Sequence, residues 1–474
     1  MRSQHWTLLA GMVILALLAA ACAPANIAPP TSAPVAATTG APSAPATTAA
    51  TAAASAAATT AASATVPPIA ALATNTAAPS PTVPAAPSPT SAPTATPVAN
   101  AIVHLSAGTA ITITSIHMLD ASAGWATGGL ASTGDHVLTT NDGGQTWHDV
   151  TPQQVAPGPD QGMPSAAAGF FGNATTAWVV YGNFVTAAPA SAIVFRTSDG
   201  GQTWTGSQPI DLSAIGAADF FQPSDIRFLP DARTGWFIAH LGVGMNHDYF
   251  TIMKTTDGGQ TWTRLIDPTS GGPQSCQKTG LHFTDAQNGW LTGDCQGVAP
   301  GLFFMHSGDG GATWTQASLP APASQPDIFT RQDAGCGTYY MRFFDPQNAQ
   351  LSVSCLILGA NVITSTHFIY STADGGQNWT SNPSPSRSLT FINPQTGWAL
   401  PYGENNAQPP YALSQTQDGG KTWTTVKQLA WTGQLSFVDN NNGWAVAQAD
   451  QAISFVKTTD GGHTWQAVNP KIAP

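Results

Sequence analysis

The stretch "KTTDGGQTW" occupies residues 254–262, and near-copies of it recur down the chain. An Asp followed by two glycines, with a hydroxyl two places ahead and a Trp five places behind, suits a catalytic loop, a metal site or a turn. Seven copies align: TNDGGQTW (140–147), TSDGGQTW (197–204), TTDGGQTW (255–262), SGDGGATW (307–314), TADGGQNW (372–379), TQDGGKTW (416–423) and TTDGGHTW (458–465). Their aspartates are Asp142, Asp199, Asp257, Asp309, Asp374, Asp418 and Asp460. The turn reading accounts for every fixed residue. A short carboxylate accepts backbone N–H groups within its own turn, Gly supplies positive φ, Thr bonds across the turn, and Trp returns on the next strand to be buried. A catalytic reading needs one site, not seven equivalent ones.

A second motif precedes each copy: an apolar residue, any residue, Asx, four residues, then usually Trp. "LHFTDAQNGW" ends at Trp290, "LTFINPQTGW" at Trp398 and "LSFVDNNNGW" at Trp444, with others at Trp125, Trp178, Trp236 and a degenerate one at Gln350. The Asx residues are Asp120, Asn173, Asp231, Asp285, Asp345, Asn393 and Asp439. Runs between the turns, such as "GWLTG" and "FIYST", have strand length and strand composition. Each unit reads strand, Asx turn, strand, loop, strand, Asp-Gly-Gly turn, strand. Asp-to-Asp spacings of 42 to 65 residues with four strands per repeat predict an all-β, seven-bladed β-propeller of four-stranded antiparallel blades over residues 101–474.

Composition agrees. Of 25 acidic residues in 474, all but Glu404 are Asp, and 46 Gly and 38 Pro favour turns. Fourteen basic residues and a net charge of −11 argue against nucleic-acid binding, which needs clustered Lys and Arg.

The N-terminus reads as an export signal over 1–21. Arg2 is followed by an apolar run from Leu8 to Ala21, too short for a comfortable membrane span. "LLAAAC" (17–22) resembles the lipobox of bacterial lipoproteins, which implies lipidation of Cys22 and a membrane contact through that anchor alone. It departs at Ala19, where Leu is usual, and an ordinary signal cleaved near Ala21 is the alternative. Residues 23–100 hold no Asp, Glu, Lys or Arg. Such an Ala/Pro/Thr/Ser segment is expected to stay disordered, a tether spanning about 50 Å as coil or up to ~240 Å as polyproline helix. The propeller is expected outside the cell, on the outer face of a bacterial cytoplasmic membrane, as a monomer.

The Asp-Gly-Gly-x-Thr-Trp pattern resembles the Asp-box, or bacterial neuraminidase repeat, and with the Gly-Trp-Ala element it is most similar to the seven-bladed photosystem II assembly-factor family. The resemblance covers roughly residues 110–467. It implies peripheral folding elements on propeller blades and says little about activity. That family's partner contact implies an Arg-rich patch, which is not visible here. Asp-box sialidases imply a Tyr nucleophile with a Glu partner, an Asp acid/base and three Arg. Only Glu404 could be that Glu. Arg227 and Arg342 fall in channel-lining first strands, but the Phe/Tyr-Arg-Ile-Pro motif is absent and sialidases have six blades. A sialidase-like glycoside hydrolase therefore stays as the alternative to a non-enzymatic scaffold that binds an extracytoplasmic protein or glycan.

Cys276 and Cys295 bracket one Asx hairpin, and Cys336 and Cys355 the next at the same spacing. In an exported protein, disulfides 276–295 and 336–355 are expected, with pairing between blades as the alternative. No C-x-x-C or H-E-x-x-H spacing occurs, so neither a metal nor a cofactor is expected. Loops of variable length (152–168, 182–191, 240–249, 267–277, 318–336, 401–410) all fall on the face opposite the two turn families. Function is expected there, with His247, Asp248, Tyr249, Arg331, Asp333, Tyr402, Glu404 and Asn405 as candidates.

Overall fold

The computed structural model describes residues 103–474 except 131–134, 154–165, 183–187, 214–217, 245–246, 269–271, 296–300, 360–361, 403, 405–406 and 451. The expectations for 1–21, for 22–100 with Cys22, and for Asn405 lie outside the described residues. Within them, all the regular structure is strand, and seven four-stranded antiparallel blades follow one another along the chain.

Blade 1 comprises Thr112–Met118, Gly124–Gly129, His136–Thr140 and Thr146–Asp149, and blade 2 comprises Ala166–Phe171, Ala177–Gly182, Val194–Thr197 and Thr205–Gly206. Blade 3 is Gln222–Phe228, Gly235–Gly244, His247–Thr255 and Thr263–Arg264, and blade 4 is Gln277–Phe283, Gly289–Asp294, Phe304–Ser307 and Thr315–Gln316. Blade 5 is Ala334–Phe343, Ala349–Leu358, Ile363–Thr372 and Thr380–Ser384; blade 6 is Leu389–Phe391, Gly397–Ala399, Tyr411–Thr416 and Thr424–Leu429. Blade 7 is Thr432–Phe437, Gly443–Ala449, Ala452–Thr458 and Gln466–Val468.

The seven Asp-Gly-Gly turns share one construction. The Thr or Ser hydroxyl donates to the Asp at 2.8–2.9 Å and accepts the N–H of the second Gly at 2.8–3.0 Å. The Asp in turn accepts the backbone N–H and the side chain of the residue four places on. These side-chain and backbone bonds hold Asp199, Asp309, Asp374, Asp418 and Asp460 down at about 2. At Asp142 and Asp257 partial burial works against the same bonds, and the pKa is still lowered. Both glycines sit at positive φ, 73–80° and 87–101°, which a side chain would strain. The first Gly also donates to a carbonyl of the Asx turn at 2.8–2.9 Å in every blade. The two turn families therefore share one face, as their order in the repeat requires.

Packing between blades rests on the other set of tryptophans. Trp125, Trp178, Trp236, Trp398 and Trp444 are fully buried and Trp290 nearly so. Each of the first five sends its indole N–H into the next blade: Trp125 to Asn173 O, Trp178 to Gly258 O, Trp236 to Gly310 O, Trp398 to Gly461 O and Trp444 to Gly143 O. In the degenerate copy Gln350 does the same job, donating to Pro394 O at 3.0 Å. Trp178, Trp236 and Trp398 stack at 3.8 Å on Phe228, Phe283 and Phe437 of the following blade. Arg196 and Lys254 also lie over the rings of Trp178 and Trp236, at 5.3 and 5.2 Å from the centroids. Of the turn tryptophans, expected from the sequence to be buried, only Trp147 and Trp379 are; the remaining five are half-buried. Trp147, Trp262, Trp314, Trp379 and Trp465 donate their indole N–H to the carbonyl of the second Gly of their own turn, whereas Trp204 donates to Val150 O at the end of blade 1 at 2.6 Å. The second-strand Trp lies between two blades.

The ring closes without exchanging strands between blades. Lys471–Ile472 adds a fifth, parallel strand outside Thr146–Asp149 of blade 1. Gly108 N and Thr109 O bond Ile472 from the other side at 2.9 Å. Trp444 of blade 7 reaches Gly143 of blade 1. Both ends of the domain thus clasp the first blade.

The expected disulfides, 276–295 and 336–355, are present, each with a Cα–Cα distance of 4.0 Å. Cys336 and Cys355 are direct cross-strand partners, so each bridge clamps its own first hairpin.

Candidate functional site

The loop face was expected to carry the site, and its candidates separate into structural and exposed groups. The stretch 240–249, expected as a loop, instead extends the second and third strands of blade 3 into a long hairpin, with Gly244 opposite His247. His247 is exposed and Tyr249 is 40% exposed, but Asp248 is buried. Its carboxylate meets His240 Nδ1 at 2.9 and 3.0 Å and accepts the backbone N–H of Lys278 at 2.9 Å. Asp248 is therefore a clamp between blades 3 and 4, not a free ligand-facing group. Burial drives the Lys278 ammonium down to about 8 although Asp248 opposes it.

Glu404 has a similar position. It accepts Ser386 Oγ at 2.6 Å and the Arg387 N–H at 3.0 Å, and its other oxygen lies 3.4 Å from His367 Nε2. Burial would raise its pKa, but these partners lower it overall. In blade 1, His136, Asp149 and Thr151 form a third such cluster, with His136 Nδ1 2.7 Å from Asp149. Alternate blades thus pin their loop-face ends with a histidine–carboxylate pair. In blade 3 the chain continues to Ser224, whose hydroxyl is 3.0 Å from His240 Nε2. This order of groups matches a serine-hydrolase relay, but its recurrence in blades 1 and 5 with other hydroxyls marks it as an anchoring device.

Arg331 and Asp333 face each other as an exposed fork, with N···O distances of 2.6 and 2.8 Å. Each occupies the other's hydrogen-bonding edge, so the pair adds little stability at the surface.

Tyr402, 44% exposed, belongs to a concave feature of this face near the channel. A cavity of about 370 Å³ between blades 5, 6 and 7 is lined by Tyr339, Tyr340, Tyr402, Arg387, Ser388 and Gln434, among others. Tyr339 donates to Asp294 at 2.6 Å, and the Arg387 guanidinium lies 4.4 Å over its ring. Burial, and then the Asp294 carboxylate, push the Tyr339 phenol well above its ordinary pKa. Tyr339, Tyr340 and Arg387 were not singled out from the sequence. They fall in an inner strand and an interblade segment, and their only signal is the doubled tyrosine in "TYYMRFF".

Among the described residues no group of three or more His, Cys, Asp or Glu is placed to hold a metal ion.

No protein-family model matches this chain, and no curated protein does. Solved structures similar to it include YCF48 from Cyanidioschyzon merolae, at 16% identity over 76% of this chain and 98% of that one, with a TM-score of 0.42. A polysaccharide lyase of family PL25, an ulvan lyase, is similar at 14% identity over 63% and 81% with a TM-score of 0.41. The GH93 α-L-arabinofuranosidase of Fusarium graminearum is similar at 13% over 62% and 92% with a TM-score of 0.37. The three proteins differ in function.

Proposed function

We propose that this chain is an Asp-box propeller lipoprotein, anchored through Cys22, whose loop face is a non-enzymatic scaffold for an extracytoplasmic protein or glycan. The observation that supports it best is the tyrosine-lined cavity beside the channel mouth. Its aromatic faces and its ring of guanidinium, hydroxyl and amide groups suit sugar rings or peptide side chains. The turn construction repeated in all seven blades supports the Asp-box kinship. The glycosidase alternative has less behind it: Glu404 is engaged by Ser386, the Arg387 backbone and His367, and the Tyr339 hydroxyl is a poor nucleophile with its pKa raised.

A glycan and peptide array, probed with the full chain and with Tyr402→Ala, tests this reading. Binding that Tyr402→Ala abolishes, without turnover of fluorogenic glycosides, is the expected result. Sialoside hydrolysis lost in Glu404→Gln would replace it with the enzymatic reading.

A further inference from the structure

The innermost strands bring seven equivalent positions to one level of the central channel. Each pairs across the first hairpin with the second-strand Trp position: His117, Phe170, Arg227, His282, Arg342, Thr390 and Ser436. The flanking residues, such as Ile116 and Met118 or Ile226 and Phe228, are buried, whereas the ring residues are half-buried or exposed. Period-2 alternation puts the ring residues on the sheet face opposite these flanking residues, and Arg227 and Arg342 of blades 3 and 5 act electrostatically on His117 and His282 of blades 1 and 4, which brings the four together at the channel. Four of the seven are basic, in a domain with few basic residues.

A second, independent feature coincides with these four. The innermost strand carries a register irregularity in blades 1, 3, 4 and 5, between Ile113 and Ser115, Ser224 and Arg227, Lys278 and Gly280, and Thr338 and Met341. Blades 2, 6 and 7, which present Phe170, Thr390 and Ser436, pair without one. Bulges re-aim the side chains next to them. In blade 3 the bulge holds Asp225 at φ +45°, a conformation that a non-glycine residue adopts under strain.

The guanidiniums are incompletely matched. Arg227 reaches Asp225 with one nitrogen at 3.3 Å, is 40% exposed, and leaves its Nε buried without a hydrogen-bond partner. Arg342 donates Nη1 to the Phe391 carbonyl and meets no carboxylate in a salt bridge among the described residues. The groups acting on the two histidines are these same guanidiniums, with Asp225 beside Arg227 and Tyr340 beside Arg342.

We propose that this level of the channel is an anion site, in which Arg227 and Arg342 hold a carboxylate, sulfate or phosphate group and His117 and His282 complete its surround. Poor solvation in the narrow channel, and then the two guanidiniums, keep both histidines below the ordinary imidazole pKa. They are neutral at pH 7.5 and gain charge as the pH falls, so affinity rises toward acid. The oxyanion is either a free inorganic ion or the acidic group of a saccharide. The site does not depend on what the loop face binds.

Isothermal titration of the full chain with sodium sulfate, sodium glucuronate and glucose, at constant ionic strength and at pH 7.5 and 5.5, tests the proposal. Saturable sulfate binding is expected, tighter at the lower pH and weakened about tenfold or more in Arg227→Gln and Arg342→Gln. Arg227→Lys should retain part of the affinity, and His117→Gln with His282→Gln should flatten the pH dependence. Arg331→Gln, outside the channel, should bind as the parent does. Glucuronate bound as well as sulfate assigns the site to acidic sugars; sulfate alone assigns it to inorganic oxyanions. No saturable binding of either anion by the folded parent chain overturns the proposal. So does an equal loss in Arg227→Gln and Arg331→Gln.

Discussion

On the turn face, seven Asp-Gly-Gly turns repeat one set of hydrogen bonds whose lengths differ by no more than 0.2 Å between copies, and seven Asx turns lie against them. On the loop face the blades differ: a His–Asp–Lys clamp in blade 3, a His–Glu–Ser clamp in blade 5, a tyrosine cavity between blades 5, 6 and 7. Each Asp-Gly-Gly turn is held mainly by groups within five residues of one another, with one further bond to the Asx turn of its own blade, so each blade's turns carry their own stabilisation and can be copied. The loop face draws many of its partners from neighbouring blades, and beyond the histidine–carboxylate pair that recurs in blades 1, 3 and 5 its clusters are particular to their place.

That contrast can be broken first at the blade interfaces. Trp236→Ala should cost about 4 kcal/mol in urea unfolding, since it empties a fully buried site and removes the bond to Gly310. Trp465→Ala, at a half-buried turn Trp whose indole bonds Gly462 of its own turn, should cost clearly less; equal losses would show that the turn tryptophans also hold the blades together. Removing one disulfide with Cys336→Ser and Cys355→Ser should cost about 3 kcal/mol, read from the same transition.

The clamp of blade 3 makes a pH-dependent prediction. Lys278 titrates at about 8 in the fold against 10.5 ordinarily. Between these values the unfolded chain holds more protons, so stability should rise with pH across that window, by on the order of 2 kcal/mol. Lys278→Met should remove that rise; a parent chain whose stability falls there as steeply as the variant's would contradict the burial of the ammonium.

A single turn carries less. Asp142→Ala should cost about 1 kcal/mol. Because the folded carboxylate has the lower pKa, this contribution is present above the unfolded carboxylate's pKa of about 4 and lost as the pH falls through the lower folded value, which acid unfolding of parent and variant will read. The smallest stability effect is expected at Tyr402, where Ala should change unfolding by under about 0.5 kcal/mol while abolishing ligand binding. A large loss of stability would assign Tyr402 to the scaffold.

Most of the fold was legible in the repeats, because hydrogen bonds such as Thr140 to Asp142 to Thr146 close within one turn and leave a local signature. The disulfide pairs were legible from their matching distances to the Asx turns. The candidate site was less so. Asp248 and Glu404 carry the residue types of a binding face, but their partners, Lys278 and Ser386, come from the next blade or an interblade segment. Arg387 and Tyr339 meet across 48 residues of chain.

The amino-acid sequence by itself determined the number of blades, the strand order within each and the chemistry of both turns, since those depend on backbone conformation and near neighbours. Tertiary structure alone decided how Lys471–Ile472 closes the ring on blade 1, which tryptophans lie between blades, and that Arg227, Arg342, His117 and His282 share one level of the channel. Those outcomes come from packing groups about 40 or more residues apart, and no local pattern records them.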